Sequence, residues 1–131
     1  QHDDFRLPHL QGLMRAAPRP PVLPLAPRGV PLRRPEHPGR FLNRHCLVPL
    51  GISQSAAARR LGISRRRVSE LVLGQRAMSA DTAIRCALAF GVDAGFWLQL
   101  QARWDSYHHW RELRERMREG RDRPVQRPAA G

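Results

Sequence analysis

Residues 53–74, SQSAAARRLGISRRRVSELVLG, predict two short helices joined by a tight turn. Ser53 is expected to cap the first helix and Ser64 the second, because a serine hydroxyl accepts a hydrogen bond from the first turn of a helix. Gly62 between them tolerates the positive φ of a sharp turn. This arrangement predicts a helix-turn-helix. Its inner faces follow the i, i+3, i+4 pattern of one-sided helices, and their members are Ala57, Ala58 and Leu61 on the first helix, then Val68, Leu71 and Val72 on the second.

The outer face of the second helix is basic. At about 100° per residue, an apolar stripe centred on the second inner face leaves Arg66, Ser69 and Glu70 pointing away from it, with Arg65 and Arg67 at its flanks. Three arginines at a helix N-terminus oppose the macrodipole, each costing a few tenths of a kcal/mol. The natural candidate for a partner that favours them is a phosphate backbone or the hydrogen-bond acceptors of a guanine edge. The alternative is a solvated basic face on an ordinary helix pair.

Length and charge limit the class of protein. A chain of 131 residues is expected to form one small domain with tails. Its formal charge of +12 indicates a polyanionic partner, nucleic acid first and an anionic membrane second. No apolar run approaches a membrane span and no signal peptide is visible at the start, which predicts a soluble, cytoplasmic protein. Cys46 and Cys86 are expected to be reduced and half-buried, although spacing alone cannot exclude a disulfide.

Composition divides the chain into four parts. Residues 1–36 carry eight prolines and no hydrophobic period, which predicts a disordered N-terminal arm outside the fold. An alternative is that Arg28, Arg33 and Arg34 make it a basic arm that tracks DNA. Residues 37–92 are predicted to be the helix-turn-helix domain, 93–119 a long amphipathic C-terminal helix, and 120–131 a disordered tail.

Three further helices complete an all-α, five-helix prediction. The first is expected to begin near Pro38, since proline suits the first helical position, and to bury Phe41, Leu42, Cys46 and Leu47. Ser79 is expected to cap the fourth helix and Gly91 to end it. Asp93 is expected to cap the fifth. The predicted core side of the fourth helix is Ile84, Ala87 and Leu88.

The fifth helix carries an apolar stripe that is longer than a small domain needs. If it is helical to Glu119, it is on the order of 40 Å long. Its far end must therefore fray, pack on a second subunit or bind another protein. We predict a dimer or partner surface formed by Trp97, Trp104, Tyr107, Trp110, Leu113 and Met117.

Five segments, in order between residues 37 and 104, resemble the HigA family. They are HPG at 37–39, PLGISQS at 49–55, SADTA at 79–83, AFG at 89–91 and FWLQLQA at 96–102. HigA proteins are antitoxins of bacterial toxin–antitoxin modules, built on an Xre/Cro-type, lambda-repressor-like helix-turn-helix. The resemblance implies a homodimer that binds double-stranded operator DNA, represses its own operon and neutralises a HigB-type toxin that cleaves mRNA.

The resemblance also implies roles for individual residues. Base contacts would come from Arg65, Arg66, Ser69 and Glu70. Phosphate contacts would come from Gln54, Ser64, Arg67 and Arg76. Two positions depart from the family pattern: Arg40 stands where glutamate is usual, and Leu73 where a polar residue is common.

Other functions are disfavoured or remain open. We predict no enzyme, metal or cofactor, because no nucleophile is paired with a base and the adjacent His108 and His109 would point about 100° apart on a helix. The remaining metal-ligand candidates are His37 and His45 with Cys46 or Cys86. A transcriptional regulator without a toxin stays open, and so does binding of RNA or an anionic membrane through the amphipathic fifth helix.

Overall fold

The computed structural model describes residues 26–120, and within that range the chain is helical with no strand. The elements are α1 (Pro38–Leu42), which continues as a π-helical turn (Asn43–Leu47), α2 (Gln54–Leu61), α3 (Arg65–Val72), α4 (Ala80–Phe90) and α5 (Ala94–Arg118). The predicted all-α, five-helix fold is confirmed. Residues 1–25 of the predicted arm and 121–131 of the predicted tail lie outside the described residues.

Each helix begins at a side-chain cap. Ser53, Ser64, Ser79 and Asp93 accept hydrogen bonds from the backbone N–H groups three residues on, as predicted. His37 caps α1, and its Nδ1 accepts from Gly39 N at 2.9 Å. The ends of α2 and α4 are the two glycines predicted to end them, Gly62 with φ 70° and Gly91 with φ 75°.

The core lies where α1, α2, α3 and α4 meet the first half of α5. Small residues let the helices approach closely: a Cβ on Gly39 would overlap the backbone carbonyl of Leu71, so α1 lies directly on α3. Phe41 packs at the edge of this core, and its ring meets that of Trp97 at 5.5 Å. The buried hydrophobic side chains are Leu42, Cys46, Leu47, Ala57, Ala58, Leu61, Val68, Leu71, Met78, Ala83, Cys86 and Trp97.

The predicted core side of α4 is wrong. Ile84 is 53% exposed and Leu88 83% exposed, whereas the buried residues of α4 are Thr82, Ala83 and Cys86. The helix therefore turns its small side chains into the core, on the side where α4 packs against α2. The larger Ile84 and Leu88 stand one turn apart on its outer side.

The long helix α5 is anchored by its first half. Trp97 is fully buried, so its assignment to a partner surface is wrong. One turn later the Gln101 side chain accepts a hydrogen bond from Met78 N at 2.7 Å, which ties α5 to the loop before α4. Toward the far end Trp110 and Leu113 are half-buried and Met117 is 40% exposed.

The described end of the N-terminal arm, residues 26–36, contains no helix and contacts the domain. The guanidinium of Arg34 lies 5.2 Å from the ring of Trp104 on α5. Glu36 accepts from Arg44 at 2.9 Å. The last residues of the arm therefore contact both α5 and the π-helical turn.

The two cysteines are free thiols in the core, more deeply buried than predicted. Burial raises the pKa of the Cys46 thiol. Burial, with a smaller contribution from neighbouring Cys46, raises the pKa of Cys86 to about 12. Both thiols are therefore neutral, apolar core groups at physiological pH. Between residues 26 and 120 no helix is long and apolar enough to cross a membrane.

Candidate nucleic-acid interface

The angle between α2 and α3 is held by Arg85 on α4. Its Nη1 donates to Leu61 O at 3.0 Å and to Gly62 O at 3.3 Å. Its Nε donates to Asp81 at 2.9 Å. Terminal carbonyls of a helix lack partners within the helix and carry partial negative charge. Arg85 satisfies the end of α2 at the turn that sets the direction of α3.

A three-residue cluster is formed by Arg66 and Glu70 on the outer face of α3 and by Arg76 from the loop that follows the helix. Arg66 Nε donates to one oxygen of Glu70 at 3.2 Å, and Arg76 Nε donates to the other at 2.7 Å. The side chain of Arg66 is 86% exposed. Hydrogen bonds from Arg76 and Arg66 lower the pKa of Glu70, so its carboxylate stays ionised at neutral pH.

Arg67, predicted to contact a phosphate, is half-buried and reaches inward. Its Nη2 donates to Thr82 Oγ1 at 3.1 Å, and Thr82 in turn accepts from the Ser79 hydroxyl at 3.2 Å. This contact joins α3 to the start of α4. A phosphate contact by Arg67 would have to use its terminal Nη donors, because its Nε is buried.

Most of the other predicted contact residues lie at the starts of α2 and α3. Arg65 is exposed at the first position of α3 and makes no hydrogen bond or ion pair with any residue of the described part. Ser69 is half-buried on the face of Arg66 and Glu70. Ser64 Oγ accepts from Arg67 N, and Gln54 opens α2. Direct contacts therefore join Arg66, Glu70 and Arg76, while Gln54 and Arg65 stay separate from that cluster.

Sequence reasoning missed two residues that position this face. The Asp81–Arg85 spacing of four predicts a pair on one helix, but only the tertiary structure brings Arg85 to the end of α2. Arg40 on α1 donates to Leu73 O at 3.4 Å, next to the exposed end of α3. Helical periodicity predicts which residues are neighbours within one helix, but it does not predict contacts between helices.

The histidines do not assemble a metal site in the described range. His37 caps α1, His45 stacks on Phe41, and His108 packs against Trp104 and Tyr107. Across residues 26–120 no group of three or more His, Cys, Asp or Glu side chains could hold a metal ion.

The fold and the exposed arginines on α3 define a helix-turn-helix protein. A family model described as "Helix-turn-helix" matches residues 44–97. Among similar proteins, virulence-associated protein I of Dichelobacter nodosus is 44% identical over 69 residues, which are 53% of this chain and 64% of the relative. The chain therefore spans a little under two thirds of the length of that protein.

Two further relatives carry the HigA name. Antitoxin HigA-1 of Vibrio cholerae is 36% identical over 83 residues, covering 61% of this chain and 78% of that protein. The structure of Pseudomonas aeruginosa antitoxin HigA with the higBA promoter has a TM-score of 0.60 and 35% identity, covering 70% of this chain and 99% of that one. This chain belongs to the HigA family, a family of helix-turn-helix antitoxins and not of enzymes.

Proposed function

We propose that the chain binds double-stranded DNA sequence-specifically through the outer face of α3. The observation that carries the proposal is the exposed Arg65–Arg66 pair at the N-terminus of that helix, where the helix dipole opposes cations. Arginine donates two parallel hydrogen bonds to the guanine edge in the major groove, the commonest specific base contact. The duplex supplies the compensating negative charge.

Each predicted contact residue has a place in this proposal. Arg65, Arg66 and Ser69 face the base edges, with Glu70 on the same face. Phosphates are contacted by Gln54 and Ser64, which stand at the starts of α2 and α3, and by Arg76 and the remaining donors of Arg67. Helix starts suit phosphates, because their free N–H groups and positive dipole end favour an anion.

The DNA-binding unit is a homodimer, and the surface that joins the subunits is the apolar stripe of α5 that begins at Trp104. Its members are Trp104, Tyr107, Trp110, Leu113 and Met117. A two-fold dimer places its two α3 helices in successive major grooves, roughly 34 Å apart. Footprinting is expected to show two protected half-sites, and protection of one isolated half-site by a monomer would contradict the dimer.

In the cell we propose that this dimer represses its own operon in the cytoplasm and neutralises a HigB-type toxin. The support is the family and the HigA relative whose structure contains its promoter. Co-purification from the native locus tests the toxin. The expected result is a small basic partner encoded by the neighbouring reading frame, whose mRNA cleavage this chain abolishes. A chain that binds DNA but recovers no such partner is a stand-alone regulator.

The DNA proposal is tested by comparing Arg66→Ala with the wild type. On a fragment from upstream of its own gene, the variant is expected to lose about 1–3 kcal/mol of binding free energy, and less on random DNA of the same length. Arg103→Ala, which removes an exposed arginine from α5, is the control and is expected to bind as wild type. Equal losses on both DNAs would make Arg66 a phosphate contact instead.

A further inference from the structure

We propose that Glu70 is a specificity-positioning residue: it reads no base itself, but holds Arg66 and Arg76 in the orientation in which they meet DNA. This inference rests on the proposed DNA binding and gives Glu70 a role different from a direct base contact. The structure shows why the carboxylate suits the task. Each of its oxygens is already bonded to one arginine, at 3.2 Å for Arg66 and 2.7 Å for Arg76.

Helix energetics do not account for the Arg66–Glu70 pair. In an i, i+4 pair on a helix, the favoured order places the acid before the base, and here the order is reversed. The dipole also disfavours an arginine in the first turn and a glutamate in the last. Because Arg66 is 86% exposed, water screens the pair and it contributes little to stability. The cluster is therefore better explained by orientation than by folding.

The contact with Arg76 extends this orientation beyond the helix. Arg76 follows the turn at Gly74, outside α3, and its Nε donates the shorter of the two bonds to Glu70. One carboxylate thus fixes a guanidinium on the helix and a second one on the following loop. The other guanidinium nitrogens of both arginines make no hydrogen bond within residues 26–120, so they can donate to an acceptor on the duplex.

Charge favours the indirect role. A lone carboxylate facing a duplex is repelled by the phosphates, whereas a carboxylate between two guanidinium groups belongs to a cluster with net charge +1. To accept a hydrogen bond from a cytosine amino group, Glu70 would have to share or release one of these arginines. Holding an arginine rigid before binding reduces the side-chain entropy lost on recognition.

The experiment compares two DNA duplexes with the wild-type chain and with Glu70→Gln. One duplex is the sequence that the wild type selects from a random pool, and the other is a scrambled sequence of equal length and composition. The ratio of the two affinities measures discrimination. Glu70→Gln is expected to lower that ratio about tenfold, as loss of an oriented bidentate arginine would, while binding to the scrambled duplex is retained or tightened because a negative charge is gone.

A double-mutant cycle separates positioning from direct reading. If Glu70 acts through Arg66, adding Glu70→Gln to Arg66→Ala is expected to cost less than about a third of what it costs in the wild type. Fully additive losses, with the loss confined to one base pair of the selected site, would show that Glu70 reads a base and would overturn the inference. An unchanged ratio in Glu70→Gln would overturn it as well.

Two further variants control for charge and folding. Glu36→Gln makes the same chemical change at a carboxylate outside α3 that is bonded to a single arginine, Arg44, and is similarly exposed, 27% against 24% for Glu70. It is expected to keep the wild-type ratio. Glu70→Asp preserves the charge but shortens the reach, and it is expected to lose discrimination while circular dichroism shows a folded chain. It also provides the test if Glu70→Gln does not fold.

The same data separate this inference from the proposed function. If the wild-type chain selects no sequence from the pool, sequence-specific DNA binding fails. If the wild type discriminates strongly and Glu70→Gln and Glu70→Asp do so equally well, only the role of Glu70 fails.

Discussion

At the scale of single residues, the start of α1 has the least freedom. Gly39 lies against the backbone of Leu71, so its α-carbon stands where no side chain fits. Just before it, the imidazole of His37 caps the helix and meets Trp104 edge-on at 5.0 Å. Gly39 and His37 thus connect the start of α1 to α3 and to α5.

Gly39→Ala is expected to destabilise the fold, because its Cβ would overlap the Leu71 carbonyl and push α1 away from α3. The expected loss in the free energy of unfolding is about 3 kcal/mol, the upper end of overpacking penalties. Urea unfolding measures it. Gly51→Ala is the matched control: Gly51 has φ 65° and nothing within 4 Å of the added Cβ, so only backbone strain of about 1 kcal/mol is expected. Equal losses in the two variants would contradict the close contact.

His37 is expected to make stability depend on pH below neutrality. Burial, and then the nearby Arg40 charge, lower the pKa of His37 from 6.5. The unfolded chain therefore binds the proton more tightly, so stability is complete above about pH 6.5 and is lost as pH falls through the folded-state pKa. Protonation of Nδ1 also removes the acceptor for Gly39 N.

The melting temperature between pH 8 and pH 5 tests this. We expect the wild type to lose about 1 kcal/mol toward acid, the usual contribution of an N-cap. His37→Asn retains a capping side chain without a titrating one, and its curve is expected to be flatter. His109→Asn on the exposed side of α5 should behave as wild type. A wild-type slope in His37→Asn would assign the effect to another group.

At the scale of elements, the sequence predicts the ends of the helices but not how the helices pack on one another. The caps at Ser53, Ser64, Ser79 and Asp93 follow from side chains that bond within three residues, so the sequence predicts them. The orientation of α4 does not follow in this way. Hydrophobicity predicts Ile84 on the core side, but the buried residues of α4 are the smaller Thr82, Ala83 and Cys86.

Arg85 is the contact through which α4 acts on the helix-turn-helix. Arg85→Ala is expected to reduce the free energy of unfolding by about 1–2 kcal/mol, because the carbonyls of Leu61 and Gly62 lose a charged donor. The folded variant should also bind DNA more weakly than the wild type, since α3 loses its fixed direction. Titration of the selected duplex at 20 °C or below, where the variant is folded, measures this. Arg103→Ala removes the same charge from α5 and should change neither quantity.

At the scale of the whole molecule, the sequence predicts the candidate site as one face of α3, whereas the structure shows side chains of that helix bonded to residues beyond it. Helical periodicity correctly placed Arg66 and Glu70 together on the outer side of α3, because it follows from backbone geometry alone. It could not show that Arg76, beyond the end of the helix, bonds the same carboxylate, or that Arg67 turns toward Thr82. Both contacts depend on how the chain returns after Gly74.

Two of the exposed apolar surfaces within residues 26–120 allow a direct test of the proposed dimer. One is the far half of α5, with Trp110, Leu113 and Met117, and the other is the outer side of α4, with Ile84 and Leu88. We assign the proposed dimer to α5. The first half of this helix packs on the domain, whereas its stripe of large apolar side chains continues beyond the domain. Aromatic side chains at the centre of an interface commonly contribute about 2 kcal/mol or more to binding.

Trp110→Ala is therefore expected to weaken the dimer by about 2 kcal/mol and to lower the melting temperature at a given protein concentration. Sedimentation equilibrium measures the dissociation constant directly. Leu88→Ala, at a residue that is 83% exposed, is the matched control and should leave the dimer intact. If Leu88→Ala dissociates the dimer and Trp110→Ala does not, the subunits meet through α4. The far half of α5 is then available to bind the proposed toxin.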